Sequence, residues 1–452
     1  MKLVKPLSSR WGLPWCMAGV LGSVLAWPAQ ARCLNETRID EPVEMSRGTG
    51  TGDASAPRLG LQGMVREAIR RSNAIGAAKL LAEAAASDIE ETKAAGRPQA
   101  NLSASLSGAH TSGDDLDTYK GQKNSVGVYV GAPLYDGGRI AELTRWRTQL
   151  AEAARLGQLS AQEQIALQTV SLALERSRYR MQSQVYGQYA RKMSCLVEAL
   201  EQIVSADRGR ASELVQARKT EKQAQIQQAQ AQSTVRQIES RLARFIGDVI
   251  PSSEGLPSLL LDVPNLNELY AEAERSTDIG QLDAQAIAAQ NFAQSVTAGH
   301  KPQVNWVLSA VRSGGGGNTS SVLAGVNLTV PLINPGTEHT VRSAQKRAEA
   351  VRLQRADALE ARRFRMTEVY EQATASFARA RQYADVARDS DRLRGFTLQQ
   401  WQQLGRRSLF DVMSTESEHY SLRVAYLNSL HDGQQANALL RSLGLGLNAW
   451  LQ

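Results

Sequence analysis

Two hydrophobic periods take turns along this chain. Ala100, Leu102, Ala104 and Leu106 alternate with Asn101, Ser103, Ser105 and Ser107, and Val126, Val128, Val130 and Ala132 share one side of a second alternating run. Strict alternation puts every second side chain on one face, so both runs predict strands with one apolar and one polar side. The polar stretch between them, Ser112 to Gln122, carries Asp114, Asp115 and Asp117 and predicts a loop. The second run ends at Pro133, and a corner at Gly137-Gly138 releases the chain into a proline-free helical pattern from Arg139 to about Ala206.

The flanking segments follow the helical period. Leu59 to Gly96 is alanine-rich and stops at Arg97-Pro98, because the residue before proline is pushed out of the α region. After a turn at Asp207-Arg208-Gly209, a returning helix holds one seam through Leu214, Ala217, Glu221, Ala224, Gln228, Ala231, Val235, Ile238, Leu242 and Phe245, and Gly247 closes it. A proline-bearing linker, 248–264, follows, and the program then repeats. A helix from about Asn265 to Ala298 meets Lys301-Pro302, and strands around Val304 to Ala310 and Val322 to Val330 flank a Gly314 to Gly317 loop. A second corner at Pro331 and Gly336 leads to a long helix from Thr337 to about Gln403, which turns at Leu404-Gly405 and returns to Gly444. Matching landmarks lie about 200 residues apart, which indicates a duplicated unit and not a solenoid. The expected organisation is a first repeat over 58–247, the linker, a second repeat over 265–445 and a short tail over 446–452.

Length arithmetic constrains the assembly. Each long helix reaches roughly 100 Å at 1.5 Å per residue, and the two shorter helices of each half, stacked end to end, match it. The result is a rod of paired helices with strands at one end and tight turns at the other. Each half supplies two strands of about 9–11 residues, the length of a tilted bilayer crossing. Only a closed barrel spans lipid in β form. One chain has too few strands to enclose a lumen, since small outer-membrane barrels have about eight. Several copies therefore share one barrel, and about twelve strands, from three chains, would leave a channel. The expected fold class is mainly α with a small transmembrane β part: a trimeric 12-stranded β-barrel on a periplasmic α-helical barrel. A soluble four-stranded sheet on a helical stalk is the plainer alternative.

Composition adds a compartment. Lys2, Lys5 and Arg10 precede an apolar run from Trp11 to Trp27, and Ala29-Gln30-Ala31 has the form of a cleavage site, so residues 1–31 read as a secretory signal peptide. Arg32 before Cys33 argues against a lipoprotein, and residues 32–57 read as an extended segment. Cys33 and Cys195 remain in the mature chain, in an oxidising compartment where they either pair or both stay reduced. The formal charge of +7 is spread along helices amid comparable numbers of acids, which indicates solvated faces and no nucleic-acid site.

With the corners, the duplication and the export signal in place, the chain resembles the TolC family of outer-membrane channel-tunnels over about Leu59 to Leu445. The segments 132–139 and 405–412 carry most of the likeness. The run from Leu409 through Glu418-His419-Tyr420 to Leu430-His431-Asp432-Gly433-Gln434-Gln435 is similar to the branch serving type I secretion of large adhesins. The resemblance implies a homotrimer, embedded in outer-membrane lipid, that docks on a periplasmic adaptor and an inner-membrane ABC transporter to pass an exported protein. It implies docking tips at Asp207, Arg208, Gly209, Gln403, Leu404 and Gly405, with the glycines at positive φ. It also implies a pore gate of Asp411, Arg407 and Glu213: a carboxylate ring from Asp411 favours cations, and Arg407 holds the closed state. Ser414 and Val215 depart from the acidic residues expected there. A Cys33–Cys195 disulfide is within reach on this architecture.

Candidate chemistry beyond transport does not assemble. His110, His300, His339, His419 and His431 are dispersed with no metal-binding spacing, Gly314 to Gly317 lacks the following Lys-Ser/Thr of a phosphate loop, and the many Glu/Arg pairs at helical spacing read as solvated helix faces. The expectation is a conduit with no cofactor and no enzymatic activity. A conduit for secreted protein leads, one for small toxic molecules comes second, and a soluble or adhesive coiled-coil protein is third.

Overall fold

The computed structural model describes residues 55–113, 116–251, 255–315, 317–404 and 406–452. The signal peptide, Cys33, Asp114, Asp115 and Gly405 lie outside the described residues.

The helix expected over Leu59 to Gly96 is two helices, α1 (Ser55–Arg71) and α2 (Asn73–Ala94). Ser72 between them has extended backbone, and its Oγ accepts the Ile75 N–H, so it caps α2. In the second half Ser276, also extended, separates α5 (Leu266–Glu274) from α6 (Thr277–Ala298), but its Oγ donates back to the Ala273 carbonyl at 2.8 Å and does not cap α6. A serine that offers the backbone an alternative partner interrupts an otherwise continuous pattern.

Strand β1 (Gln99–Gly113) pairs antiparallel with β2 (Leu116–Tyr135), β2 with β3 (Gln303–Gly314), and β3 with β4 (Thr319–Thr329), giving one four-stranded sheet in chain order. Two expectations change here. The polar segment 112–122 is mostly ladder, so the first hairpin has strands of 15 and 20 residues and not 9–11. Pro133 does not end β2, which runs on to Tyr135 past an irregularity between them.

The shaft is four antiparallel helices. Helix α3 (Arg139–Ala206) packs on α4 (Ala211–Ile246), and α7 (Gly336–Gln399) packs on α8 (Leu409–Leu443), with α2 and α6 beside the sheet-proximal halves of α3 and α7. The predicted seam of α4 is buried at Ala217, Ala224, Ala231, Val235, Ile238 and Leu242, against Met193, Leu196 and Leu200 of α3 lower in the shaft. Small residues at that spacing let helix backbones approach closely.

Residues 248–264, expected as a linker, contribute to the core. Leu256, Leu259 and Leu260 are buried with α1, α3 and α8, and Leu260 is held at φ 57°. Gln434 on α8 donates through Nε2 to the carbonyls of Leu256, Pro257 and Leu259 at 2.8–3.0 Å, and Asn437 donates to those of Leu260 and Asp262 at 2.7 and 2.8 Å. Short helix α9 (Leu447–Leu451) occupies the expected tail and buries Leu447 and Leu451 in the same core.

Candidate functional site

Register sorts the sheet into two faces. Directly paired residues lie on the same side, so Ala132, Trp306 and Val326 form one apolar row, Ala100, Val130, Leu308 and Ala324 a second, and Leu102, Val128, Ala310 and Val322 a third. The other side is mostly small or polar: Ser103, Gly127 and Ser321 flank Val311, and the Ser105 and Ser125 hydroxyls meet at 2.8 Å. Leu102, Val322 and Val326 are 65–77% exposed, so nothing among the described residues covers them. Strands β1 and β4 are both open edges, each with an unpaired row of backbone groups.

The corners fix how this sheet joins the shaft. Asp136 accepts the Gly138 N–H at 2.9 Å and the Ile140 N–H at 2.5 Å, starting α3, while Gly137 and Gly138 adopt φ 68° and 89°. Gly137 is doubly constrained, because an added Cβ would lie 2.7 Å from Lys301 Cβ and 3.0 Å from the Ala298 carbonyl. Lys301 donates back to the Gly137 carbonyl at 3.3 Å, so the Lys-Pro step of the second repeat braces the first corner. The second corner uses other chemistry: Asn334 accepts the Gly336 N–H at 3.0 Å, and Pro331 lies beyond the end of β4. Gly336 has no positive φ.

At the far end of the shaft lie the expected tips and gate. Asp207 accepts the Gly209 N–H at 2.9 Å and turns the chain through a short 3-10 helix, Arg208–Arg210. Gly209 is not at positive φ, contrary to expectation, because a 3-10 turn reverses the chain within the right-handed region. The second tip is built differently: Gln400–Leu404, including Gln403, form a π-helix leading to Gly405. A π turn holds an extra residue per hydrogen bond and marks locally underwound helix.

Asp411, Arg407 and Glu213 share this end, and each is engaged within its own hairpin. Asp411 accepts the Ser408 N–H at 3.1 Å while Ser408 Oγ accepts the Asp411 N–H at 3.2 Å, a reciprocal cap on α8. Arg407 donates to the Gln400 side chain at 3.2 Å, and Glu213 accepts two bonds from Arg210 at 3.0 and 2.7 Å. Within one chain the three do not meet. Cys195 sits half-buried on α3 beside the lower core.

Glu/Arg pairs at helical spacing such as Glu67–Arg70 and Glu152–Arg155 are exposed, but buried pairs also join different helices. Glu416 is fully buried on α8 and faces Arg394 of α7 at 3.4 Å, while Arg394 also bonds Asp391 at 2.6 Å. His419, one turn on, lies 4.0 Å from Asp391 and edge-on to Tyr420, which stacks on Tyr189 of α3. Higher up, Arg176 bridges Glu239 and the Pro251 carbonyl at 2.7 and 2.8 Å. The available signal was placement: Glu416 and His419 fall among Val412, Met413, Tyr420 and Leu427 on the buried stripe of α8. Burial also governs ionisation nearby. The His431 imidazole is pushed down to about 4, first by desolvation and then by the Arg178 charge. Glu163, enclosed while accepting the Leu447 and Asn448 N–H groups, is raised because desolvation outweighs those bonds.

A two-faced sheet of open edges on a helical shaft roughly 100 Å long defines the class of fold, one found in outer-membrane channel protomers. The outer membrane efflux protein family matches residues 64–248, the first repeat. Comparison with curated proteins finds no match. The fold is shared with the outer membrane protein VceC of Vibrio cholerae (TM-score 0.73, 17% identity, 85% of this chain and 96% of that one). It is shared likewise with the CmeC outer membrane channel of Campylobacter jejuni (0.70, 14%, 83% and 84%) and the open state of the Neisseria gonorrhoeae MtrE channel (0.69, 16%, 86% and 89%). Family match and fold together place this protein in the outer membrane with its helices on the periplasmic side. No helix among the described residues is long and apolar enough to cross a membrane.

Proposed function

We propose that three copies of this chain close their sheets into a 12-stranded barrel and their helices into a periplasmic tube, forming the passive exit duct of a tripartite export machine. The observation that carries the reading is the sheet: a continuous apolar face over four strands, with two open edges, is completed only by neighbouring edges and covered only by lipid. Channels of the matching family are trimers that work with periplasmic adaptors and inner-membrane pumps, which supports the same partners here. The tips at Asp207, Arg208, Gly209, Gln403, Leu404 and Gly405 then face the adaptor, and Asp411 in three copies rings the entrance, with Glu213 and Arg407 beside it. A Cys33–Cys195 bridge remains part of the proposal, tested by thiol titration of the denatured mature protein: two reactive thiols reject it.

The cargo we assign is a secreted protein, on the 409–435 resemblance. The structure supplies a second use for that motif, since Gln434, Gln435 and Asn437 hold the inter-repeat connector and α3. The efflux description of the matching family favours the second reading, a duct for small toxic molecules. A deletion strain separates them. Retention of a secreted protein supports the first, whereas sensitivity to toxic compounds with an unchanged set of secreted proteins supports the second.

Planar-bilayer conductance tests the duct and its gate together. The wild type should form cation-preferring channels, and Asp411→Asn should weaken that preference. Unchanged selectivity removes Asp411 from the pore, and absence of conductance in the wild type opposes the duct. Gly209→Trp should abolish export while leaving trimers intact, because it blocks the tip; normal export by that variant rejects docking there.

A further inference from the structure

We infer that the outward end of the sheet's apolar face is a docking rim for phosphate-bearing lipid headgroups of the outer leaflet, gripped by Arg312 and backed by Lys120. The inference rests on the reading that this sheet is the membrane barrel, and deepens it by assigning a lipid chemistry to one row of residues.

Cross-strand pairing fixes where the apolar face stops. Passing outward from the corners, rows headed by Trp306, Leu308 and Ala310 are apolar across the strands, and the next row is Ala104, Val126, Arg312 and Ser320. Arg312 thus shares the lipid-facing side with Val126 beside it. Beyond it the same face keeps one apolar residue, Leu106 opposite Asn124, and is then polar, with Gln122 opposite Gly108 and Lys120 opposite His110. Lys123 pairs with Ser107 and lies on the other face. From Val304 to Arg312 is eight steps along β3, roughly 27 Å of strand. At a tilt of about 40° that is roughly 20 Å of height, close to the ~25 Å apolar band of such barrels. Arg312 therefore falls at the outer interface, where the headgroups lie. An arginine on the lipid side is strongly disfavoured at mid-membrane and nearly neutral at the interface, so this is the one level at which that side tolerates it.

Charge and shape both select a phosphate. Along the sheet's lipid-facing rows from Ala132 out to Lys120 the charged residues are Arg312 and Lys120; the acids of the first hairpin, Asp114, Asp115 and Asp117, lie farther out along the chain. Arg312 and Lys120 are exposed and form no ion pair among the described residues. A shallow groove of about 510 Å³ opens beside Arg312, floored by Leu106 and Val126 and edged by Asn124 and Asn318. An apolar floor beneath a planar guanidinium fork suits an acyl chain ending in a phosphate, which arginine grips bidentately. The first hairpin extends this rim, because eight residues of β2 and seven of β1 run past the end of the β2–β3 ladder.

The experiment uses the full-length protein purified in detergent and mixed with bisphosphorylated lipid A, with the same glycolipid stripped of phosphate, or with lipid A plus excess inorganic phosphate. Retained lipid per chain is measured by mass spectrometry for the wild type, for Arg312→Ala/Lys120→Ala and for Lys123→Ala. A basic side chain at an anionic surface contributes about fivefold in affinity, so the double variant should lose about twenty-fivefold for the bisphosphorylated lipid. Lys123→Ala should match the wild type, the stripped lipid should bind all three weakly and alike, and inorganic phosphate should not displace the intact lipid. Equal retention by wild type and double variant overturns the inference, as does equal binding of the stripped lipid by the wild type. Displacement by inorganic phosphate would make the rim an anion site and overturn the lipid assignment. The variants are first checked for recovery in the outer-membrane fraction. Failure of the wild type to enter that fraction would sink the barrel reading itself, whereas entry without phosphate selectivity sinks only this inference.

Discussion

Replacing Gln434 tests whether the connector between the repeats is held by α8 as the hydrogen bonds indicate. Its carboxamide is buried, and Nε2 lies within 3.0 Å of three carbonyl oxygens. Two N–H groups cannot satisfy three acceptors at once, so they are shared. Leu256 keeps a second donor in the Leu259 N–H at 3.1 Å, which leaves the Pro257 and Leu259 carbonyls dependent on Gln434. Gln434→Leu keeps the volume and strands those two groups. At about 1–3 kcal/mol for each buried unsatisfied acceptor, the loss is about 2–6 kcal/mol. Gln434→Glu should be worse near neutrality, since a carboxylate would face carbonyl oxygens, and should recover partly in acid, where the protonated carboxyl regains one donor. Gln435→Leu is the control: it loses a bond to the Ser171 carbonyl, within helix α3, and a longer contact to His431 Nε2 at 3.4 Å, and should cost only about 1 kcal/mol. The assay is thermal denaturation of the detergent-solubilised protein, with limited proteolysis to report cleavage within 248–264. Equal stability and equal resistance of Gln434→Leu and Gln435→Leu would refute the reasoning.

Two further outcomes follow from the same geometry. Gly137→Ala should destabilise the sheet-to-shaft corner by about 1–3 kcal/mol, since the residue combines φ 68° with a Cβ site 2.7 Å from Lys301, while Gly336→Ala should be nearly silent; equal effects in thermal melts would contradict this. For His431, the folded group titrates at about 4 and the unfolded one near 6.5, so the unfolded state binds the extra proton in that window. Stability therefore falls as pH drops from about 6.5 to about 4, by up to about 3 kcal/mol, and His431→Asn should flatten that part of the profile. An unchanged slope in the variant would show that His431 is not the responsible group.

The parts legible in the sequence were those where one face of an element meets apolar surroundings. The strand rows through Leu102, Val128 and Leu308, the α4 seam from Ala217 to Leu242 and the Gly137-Gly138 corner carry their reason in local spacing. Past Leu106 the strands look like loop in the sequence because outside the apolar band neither face is buried, so alternation vanishes although the ladder continues. The breaks at Ser72 and Ser276 were hidden because serine is ordinary within a helical pattern, and only its backbone angles reveal the break. The connector looked like a linker because its proline content marks irregular backbone, but irregular backbone is buried wherever donors such as Gln434 and Asn437 reach its carbonyls. Buried charges were missed for a related reason: Glu416 and Arg394 belong to different helices, and their meeting depends on how α7 packs on α8. Asp411 shows the opposite limit, since its place one turn into α8 gave it both a cap role and a pore role, and only the cap is visible in a single chain.

The central claim is that one chain's four strands are completed by those of sister chains within lipid. The most direct measurement is the mass of the protein extracted from outer membranes in mild detergent, by light scattering corrected for bound detergent. The account predicts three chains per particle, dissociating to monomers on heating. A particle of one chain that stays soluble when the detergent is removed would contradict it.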